Sequence, residues 1–142
     1  LNFDKFSKNS FIDKKKEKNL SNSLVDSFKV KTQSSESKVS DLSGGNQQKV
    51  VFAKWYAINP EILILDEPTK GVDVGAKREI YDLIKDLTKK GVSIILISSD
   101  LPELLSLSNR IYVIYEGKMQ GEISSDNASQ EKVMTLATGG KI

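Results

Sequence analysis

Apolar residues along the chain change their period several times, and each change predicts an element. Leu20, Leu24, Val25 and Phe28 recur at helical spacing, which predicts an amphipathic helix over residues 14–30. A polar stretch at 33–37 reads as a loop. Ser43-Gly44-Gly45 reads as a turn, and an apolar-rich helix over 46–58 follows, with Pro60 just beyond it. Ile62-Leu63-Ile64-Leu65 is an unbroken apolar run closed by Asp66, the pattern of a strand buried on both faces. Residues 67–73 carry Pro68 and Gly71 and read as a loop. Ala76, Ile80, Leu83, Ile84 and Leu87 then fall at steps of three and four, predicting a helix over 74–90 that ends at Gly91.

The second half repeats the alternation. Residues 93–97 predict a second buried strand. Ser98-Ser99-Asp100 leads into a short helix with Pro102 in its first turn. Residues 111–115 and 118–123, joined by Glu116-Gly117, predict a hairpin. A helix over 129–138 ends at Gly139-Gly140. Strands joined through helices must run parallel, so the expected fold class is α/β. In such sheets ligands gather beyond the carboxyl ends of the strands. Two of those ends are Asp66-Glu67 and Ser98-Ser99-Asp100.

Composition narrows the chemistry. The 142 residues contain no Cys and no His, which removes thiolate nucleophiles, disulfides, imidazole acid–base steps and His metal sites. Any acid–base work falls to carboxylates, Lys or Tyr. Every apolar run is far shorter than the roughly 20 residues that a spanning helix needs. Residues 1–38 hold nine Lys and five acidic residues, against twelve Lys plus Arg and fourteen acidic residues in 39–142. Lys14-Lys15-Lys16-Glu17-Lys18 mixes signs and lacks interleaved aromatics, so it reads as a solvated helix face rather than a nucleic-acid surface. Val51, Phe52, Trp55 and Tyr56 read as core, and Tyr112 and Tyr115 as residues packed along a strand. The opening Leu1-Asn2-Phe3-Asp4 has neither an initiator Met nor a leader pattern and is expected to be a cut within a longer protein.

Two places carry chemistry. Asp66-Glu67 brings two carboxylates to a strand end, where one can hold Mg²⁺, usually through water, and the other can orient an attacking water. Ser43-Gly44-Gly45-Asn46 opens a helix, whose free N–H groups and partial positive charge suit phosphate oxygens. No segment satisfies the Walker A pattern. Gly71-Val72-Asp73-Val74-Gly75-Ala76-Lys77 has three residues between its glycines instead of four, and Ala76 separates Gly75 from Lys77. Gly139-Gly140-Lys141 has neither a hydroxyl residue nor a helix after it.

Leu42-Ser43-Gly44-Gly45 and Ile62–Thr69, about twenty residues apart, together resemble the signature motif and Walker B of the ATP-binding cassette (ABC) ATPases, with a D-loop at Gly71-Val72-Asp73. Leu-Ser-Gly-Gly-Asn-Gln-Gln-Lys-Val over 42–50, Asp-Glu-Pro-Thr-Lys-Gly-Val-Asp-Val-Gly-Ala-Lys over 66–77 and Ile-Ser-Ser-Asp-Leu-Pro-Glu over 97–103 are similar to one subset. That subset is the second cassette of the tandem-cassette ATPases of bacterial monosaccharide importers of the ribose, galactose and xylose type. The ending Val-Met-Thr-Leu-Ala-Thr-Gly over 133–139 fits it as well. The resemblance is dense from Val39 to about Gly121 and loose over 1–38, where position suggests part of the helical subdomain.

The resemblance implies a partial P-loop NTPase fold lacking the Walker A part: 1–38 from the helical subdomain, and 39–142 the C-terminal part of the ATPase core. It implies ATP and Mg²⁺ as ligands. Ser43, Gly44, Gly45 and Asn46 would contact the γ-phosphate of a nucleotide bound on a partner cassette. Asp66 would help hold Mg²⁺, Glu67 would polarise the attacking water, and Asp73 would cross the dimer seam. Asn46 stands where most ABC proteins have Gln, and Ser99 where most have the switch His. The implied partners are a second cassette, transmembrane permease subunits and, indirectly, a periplasmic or extracellular sugar-binding protein, with no nucleic acid; the implied location is the cytoplasmic side of the membrane. The alternative is a soluble ABC ATPase acting on ribosomes or nucleic acid. A stand-alone Mg²⁺ phosphohydrolase using Asp66 and Glu67 ranks below both, because it has no cradle for phosphates.

Overall fold

The computed structural model describes residues 7–8 and 11–141. The opening Leu1–Asp4 lies outside the described residues. Ahead of the first helix, β1 (Ser7–Lys8) and β2 (Phe11–Ile12) pair antiparallel. The sequence predicts no strand there, since two residues are too few to show a period. The chain groups into two units: residues 1–63 with 68–95, and residues 64–67 with 96–142.

In the first unit, Asp13 caps α1 (Lys14–Ser27), its carboxylate accepting from the N–H groups of Lys15 and Lys16 at 3.1 Å each. No α1 residue is buried; the buried residues are Phe28 and Val30, just past its end. The helix stops short of the predicted Val30 because Lys29 turns into the left-handed region at φ 49°. Along the chain follow α2 (Gly44–Tyr56), β3 (Ile62–Asp66), α3 (Val74–Lys89) and β4 (Ser93–Ile97), with residues 64–66 of β3 and 96–97 of β4 counted in the second unit. On α2 the expected core is half right. Phe52 is buried and Tyr56 tilts against the Phe28 ring at 5.5 Å, but Val51 and Trp55 are exposed and the inward position falls to Lys49. Along α3, Ile80, Ile84 and Leu87 are buried at the predicted spacing.

β3 and β4 are neighbours in one two-stranded sheet. Ser93 N–H donates to Glu61 O and Glu67 N–H to Ile97 O, at 2.9 and 2.8 Å. The partners advance together along both strands, so the strands are parallel, as predicted. Burial on both faces is corrected. Leu63 and Leu65 are buried, whereas Ile62 and Ile64 are 59% and 63% exposed, and Ile95 and Ile97 are about half exposed. A run of aliphatics reveals a strand but not which of its faces is covered.

In the second unit, α4 (Leu101–Leu107) precedes the hairpin of β5 (Arg110–Tyr115) and β6 (Lys118–Ser124), followed by α5 (Gln130–Ala137). Glu116 and Gly117 both have positive φ, 47° and 74°, as a two-residue turn matched to strand twist requires. The core comprises Ile111, Val113, Ile123, Val133 and Leu136, with Leu101, Leu104 and Leu105 packed against it. A Cβ on Gly121 would lie 2.9 Å from Leu136 Cδ1, so the missing side chain lets α5 close onto the hairpin. Tyr115 packs beside Gly139, as expected of a strand residue. Tyr112 is instead exposed, with the Arg110 guanidinium 5.3 Å from its ring. Among the described residues no helix is long and apolar enough to cross a membrane.

Candidate functional site

Ser43 is the N-cap of α2, with φ −61° and ψ 154°, and Gly44, Gly45 and Asn46 form the first helical turn. Their N–H groups lack the carbonyl four residues back and are available to an anion. Ser43 and Gly44 are exposed and Gly45 is buried. The burial of Gly45 has a steric cause. A Cβ there would sit 2.6 Å from Ala76 Cβ and 3.7 Å from Val72 Cγ1, so only glycine lets α2 meet the first turn of α3 this closely. Asn46 is already engaged: its Oδ1 accepts from Lys31 N–H at 2.8 Å and its Nδ2 donates to Ser43 Oγ at 2.8 Å. With its oxygen accepting, the Ser43 hydroxyl keeps its own hydrogen free to donate.

Asp73 is the N-cap of α3, Oδ1 accepting from Ala76 N–H at 2.9 Å. Its carboxylate thus holds the helix start against which Gly45 packs. The signature turn and the start of α3 form one contact within the first unit.

In the second unit Asp66 ends β3 as an exposed carboxylate. Glu67 follows at φ 47°, a left-handed conformation that costs a non-glycine residue about 1 kcal/mol or more. Two hydrogen bonds hold it there. Its N–H donates to Ile97 O, and its Oε1 accepts the N–H of Ser99 at 3.0 Å. The structure therefore joins Glu67 directly to Ser99, the position where the resemblance expects a switch residue. Asp100 caps α4 by accepting from Glu103 N–H at 3.2 Å.

Asp66 offers the hard oxygen that Mg²⁺ prefers. Among the described residues no three Asp, Glu, His or Cys side chains cluster as a metal cage. That donor set fits a cation held by one carboxylate with water and phosphate oxygens completing its shell.

Sequence reading missed a second set of residues beneath the signature turn. Lys49 is 3% exposed and places Nζ 2.6 Å from Glu79 Oε2 and 3.0 Å from Lys29 O. Lys31 Nζ lies 3.1 Å from Glu79 Oε1. Lys49 and then Lys31 hold the Glu79 carboxyl below its ordinary value. The available signal was helical phase. Lys49 lies seven residues before Tyr56 and three before Phe52, on the inward face of α2.

Residues 3–70 match the family described as ABC transporter. The chain is 55% identical over 99% of its length to the ribose import ATP-binding protein RbsA of Bacillus licheniformis and to that of Bacillus subtilis. Over 96% of its length it is 55% identical to RbsA of Streptococcus agalactiae. The chain spans 28% of the length of each of these relatives. Among solved structures it resembles MJ1267, an ATP-binding cassette of an ABC transporter, with a TM-score of 0.72 at 24% identity, over 83% of this chain and 48% of that one. It also resembles the bacterial ABC transporter cassette MJ0796, with a TM-score of 0.69 at 22% identity, over 84% of this chain and 51% of that one. The fold is thus that of part of an ATP-binding cassette. In sequence the chain is similar to ABC transporter proteins over residues 3–70 and to ribose import ATP-binding proteins over nearly its whole length.

Proposed function

We propose that these residues belong to an ATP-binding subunit that couples ATP binding and hydrolysis to import of a monosaccharide. Ribose is the leading candidate, because the relatives above are named for its import. Ser43, Gly44, Gly45 and Asn46 act in trans, contacting the γ-phosphate of a nucleotide seated on a second cassette. Asp66 and Glu67 act in cis: Asp66 on Mg²⁺, whose charge eases phosphoryl transfer, and Glu67 on the attacking water. Phosphoryl transfer needs chiefly positioning and charge stabilisation, which these groups supply without an imidazole. Asp73 lies at the seam between cassettes. Ser99 fixes Glu67 through its backbone N–H, and its side chain replaces the switch His. The partners are a second cassette, permease subunits in the membrane and, through them, a sugar-binding protein; the subunit sits on the cytoplasmic face. The reading as a ribosome- or nucleic-acid-directed ABC ATPase is not favoured, since these relatives are named as import proteins.

The observation that carries the trans assignment is the exposed start of α2, an anion-binding helix end in a sequence with no Walker A pattern of its own. In the full-length protein, Ser43→Arg is expected to abolish turnover at the site whose phosphate loop lies on the partner cassette, because the longer side chain fills the phosphate position. Unchanged turnover at that site would refute the assignment. By the same reasoning the 142 residues alone bind ATP weakly and hydrolyse none. Steady-state turnover by the purified chain, lost on Glu67→Gln, would overturn this.

A further inference from the structure

The Lys49–Glu79–Lys31 cluster is not among the groups assigned to phosphate above, yet its geometry leads to Ser43. Lys49 is buried on α2, Glu79 projects from α3, and Lys31 belongs to the segment that leaves α1. Lys49 Nζ reaches both Glu79 Oε2, at 2.6 Å, and Lys29 O, at 3.0 Å. Glu79 Oε1 holds Lys31 Nζ at 3.1 Å. Residues 29 and 31 are thereby fixed from two sides, and they need to be: Lys29 has φ 49°, a conformation that an L side chain resists.

What this segment fixes is an orientation. The N–H of Lys31 can only donate, so the Asn46 amide must turn its oxygen toward it, as the 2.8 Å contact shows. The Asn46 NH₂ then faces the other way and donates to Ser43 Oγ at 2.8 Å. Ser43, serving as acceptor there, keeps its hydroxyl hydrogen for another partner. Each bond in the sequence decides the polarity of the next.

We infer that Glu79 is a positioning residue for nucleotide turnover: through Lys49 and Lys31 it sets the Asn46 amide and so presents the Ser43 hydroxyl as a donor to phosphate. This rests on the proposed γ-phosphate role of Ser43. Asn suits position 46 because it reaches both Lys31 N–H and Ser43 Oγ at once. The charge on Glu79 also ties α3, whose first turn packs on Gly45, to the segment that carries α1, so the signature turn is held from both neighbours.

The experiment uses the full-length ATPase in a Glu67→Gln background, which silences the site served by this Walker B and leaves turnover at the site completed by this signature. Glu79→Ala is expected to lower kcat there about tenfold while KM for ATP stays within about twofold, the pattern of an interaction used in the transition state. Ser43→Ala is expected to lower kcat as well, and the double variant to be no worse than Ser43→Ala alone, as for residues acting in one series. If Glu79→Ala does not fold, Lys31→Met, which leaves the bond from buried Lys49 to Glu79 intact, is compared with Ser43→Ala in the same way. Unchanged kcat in the relay variant, or losses that multiply in the double, would overturn the relay and leave the γ-phosphate role of Ser43 standing. No loss from Ser43→Ala would remove both.

Discussion

Glu67 Oε1 accepts the backbone N–H of Ser99 at 3.0 Å. The bond needs a carboxylate or amide oxygen at position 67 but asks nothing of the side chain at 99. It also holds the strained Glu67 backbone, whose own N–H is tied to Ile97 O. Glu67→Gln therefore keeps the contact and removes the charge. In the full-length protein it should lower kcat at this cassette's own site by about 10²-fold or more, the scale of a lost proton acceptor, with the thermal midpoint unchanged. Glu67→Ala should lose the same activity and in addition lower the midpoint. Equal midpoints for the two variants would mean that the Ser99 bond contributes nothing to holding the loop.

Gly45 faces Ala76 with room for no side chain. Gly45→Ala should destabilise the full-length protein by about 1–3 kcal/mol, the usual cost of overpacking two helices that cannot separate freely. Adding Ala76→Gly removes the opposing methyl and should restore most of that loss. Denaturant midpoints of the single and double variants check this; an additive double would mean that the helices do not touch there.

The ion pairs at Glu79 make one contribution to stability depend on pH. The Lys49 hydrogen bond, followed by that of Lys31, lowers the folded-state pKa of Glu79 below the ordinary 4.5. A group depressed on folding stabilises fully above its unfolded pKa and loses that contribution as pH falls through the folded value. The Glu79 side chain is 44% exposed, so solvent screens the effect. Glu79→Gln should accordingly lower the thermal midpoint near neutrality, and the gap to the parent should narrow as pH falls through the ordinary carboxylate range and the lower folded-state value. A gap of constant size across that range would show that the charge plays no part.

How much of this was legible in the sequence depended on whether a residue's task was local. The order of elements from 44 to 138, the parallel strand pair and the hairpin turn all follow from period and glycine placement. Ser43, Gly44, Gly45, Asp66 and Glu67 stood out because helix starts and strand ends are written in consecutive residues. Lys49, Glu79 and Lys31 did not, because their relation spans 48 positions and each alone looks like a surface charge. The same applies to the Glu67–Ser99 bond, across 32 positions. Trp55 was read as core from its type, while its phase on α2 turns it outward.

Gly139 gives a simpler test. It has φ 84°, and a Cβ there would lie 2.8 Å from Tyr115 Cε1. Gly139→Ala combines left-handed strain with a clash and should cost about 1–3 kcal/mol. Gly91→Ala, with positive φ but nothing within 4 Å, should cost less. Chemical denaturation of the two variants separates backbone strain from crowding.

The outward isoleucines at 62, 64, 95 and 97 bear on how this polypeptide behaves in the test tube. Among the described residues the ribbon that bears them has two strands, a marginal arrangement, and greasy β-branched rows along it invite other molecules to add on. Produced by itself, the chain should clump with rising concentration and recover on dilution into mild denaturant. Light scattering would register this, and Ile64→Lys together with Ile95→Lys should suppress it.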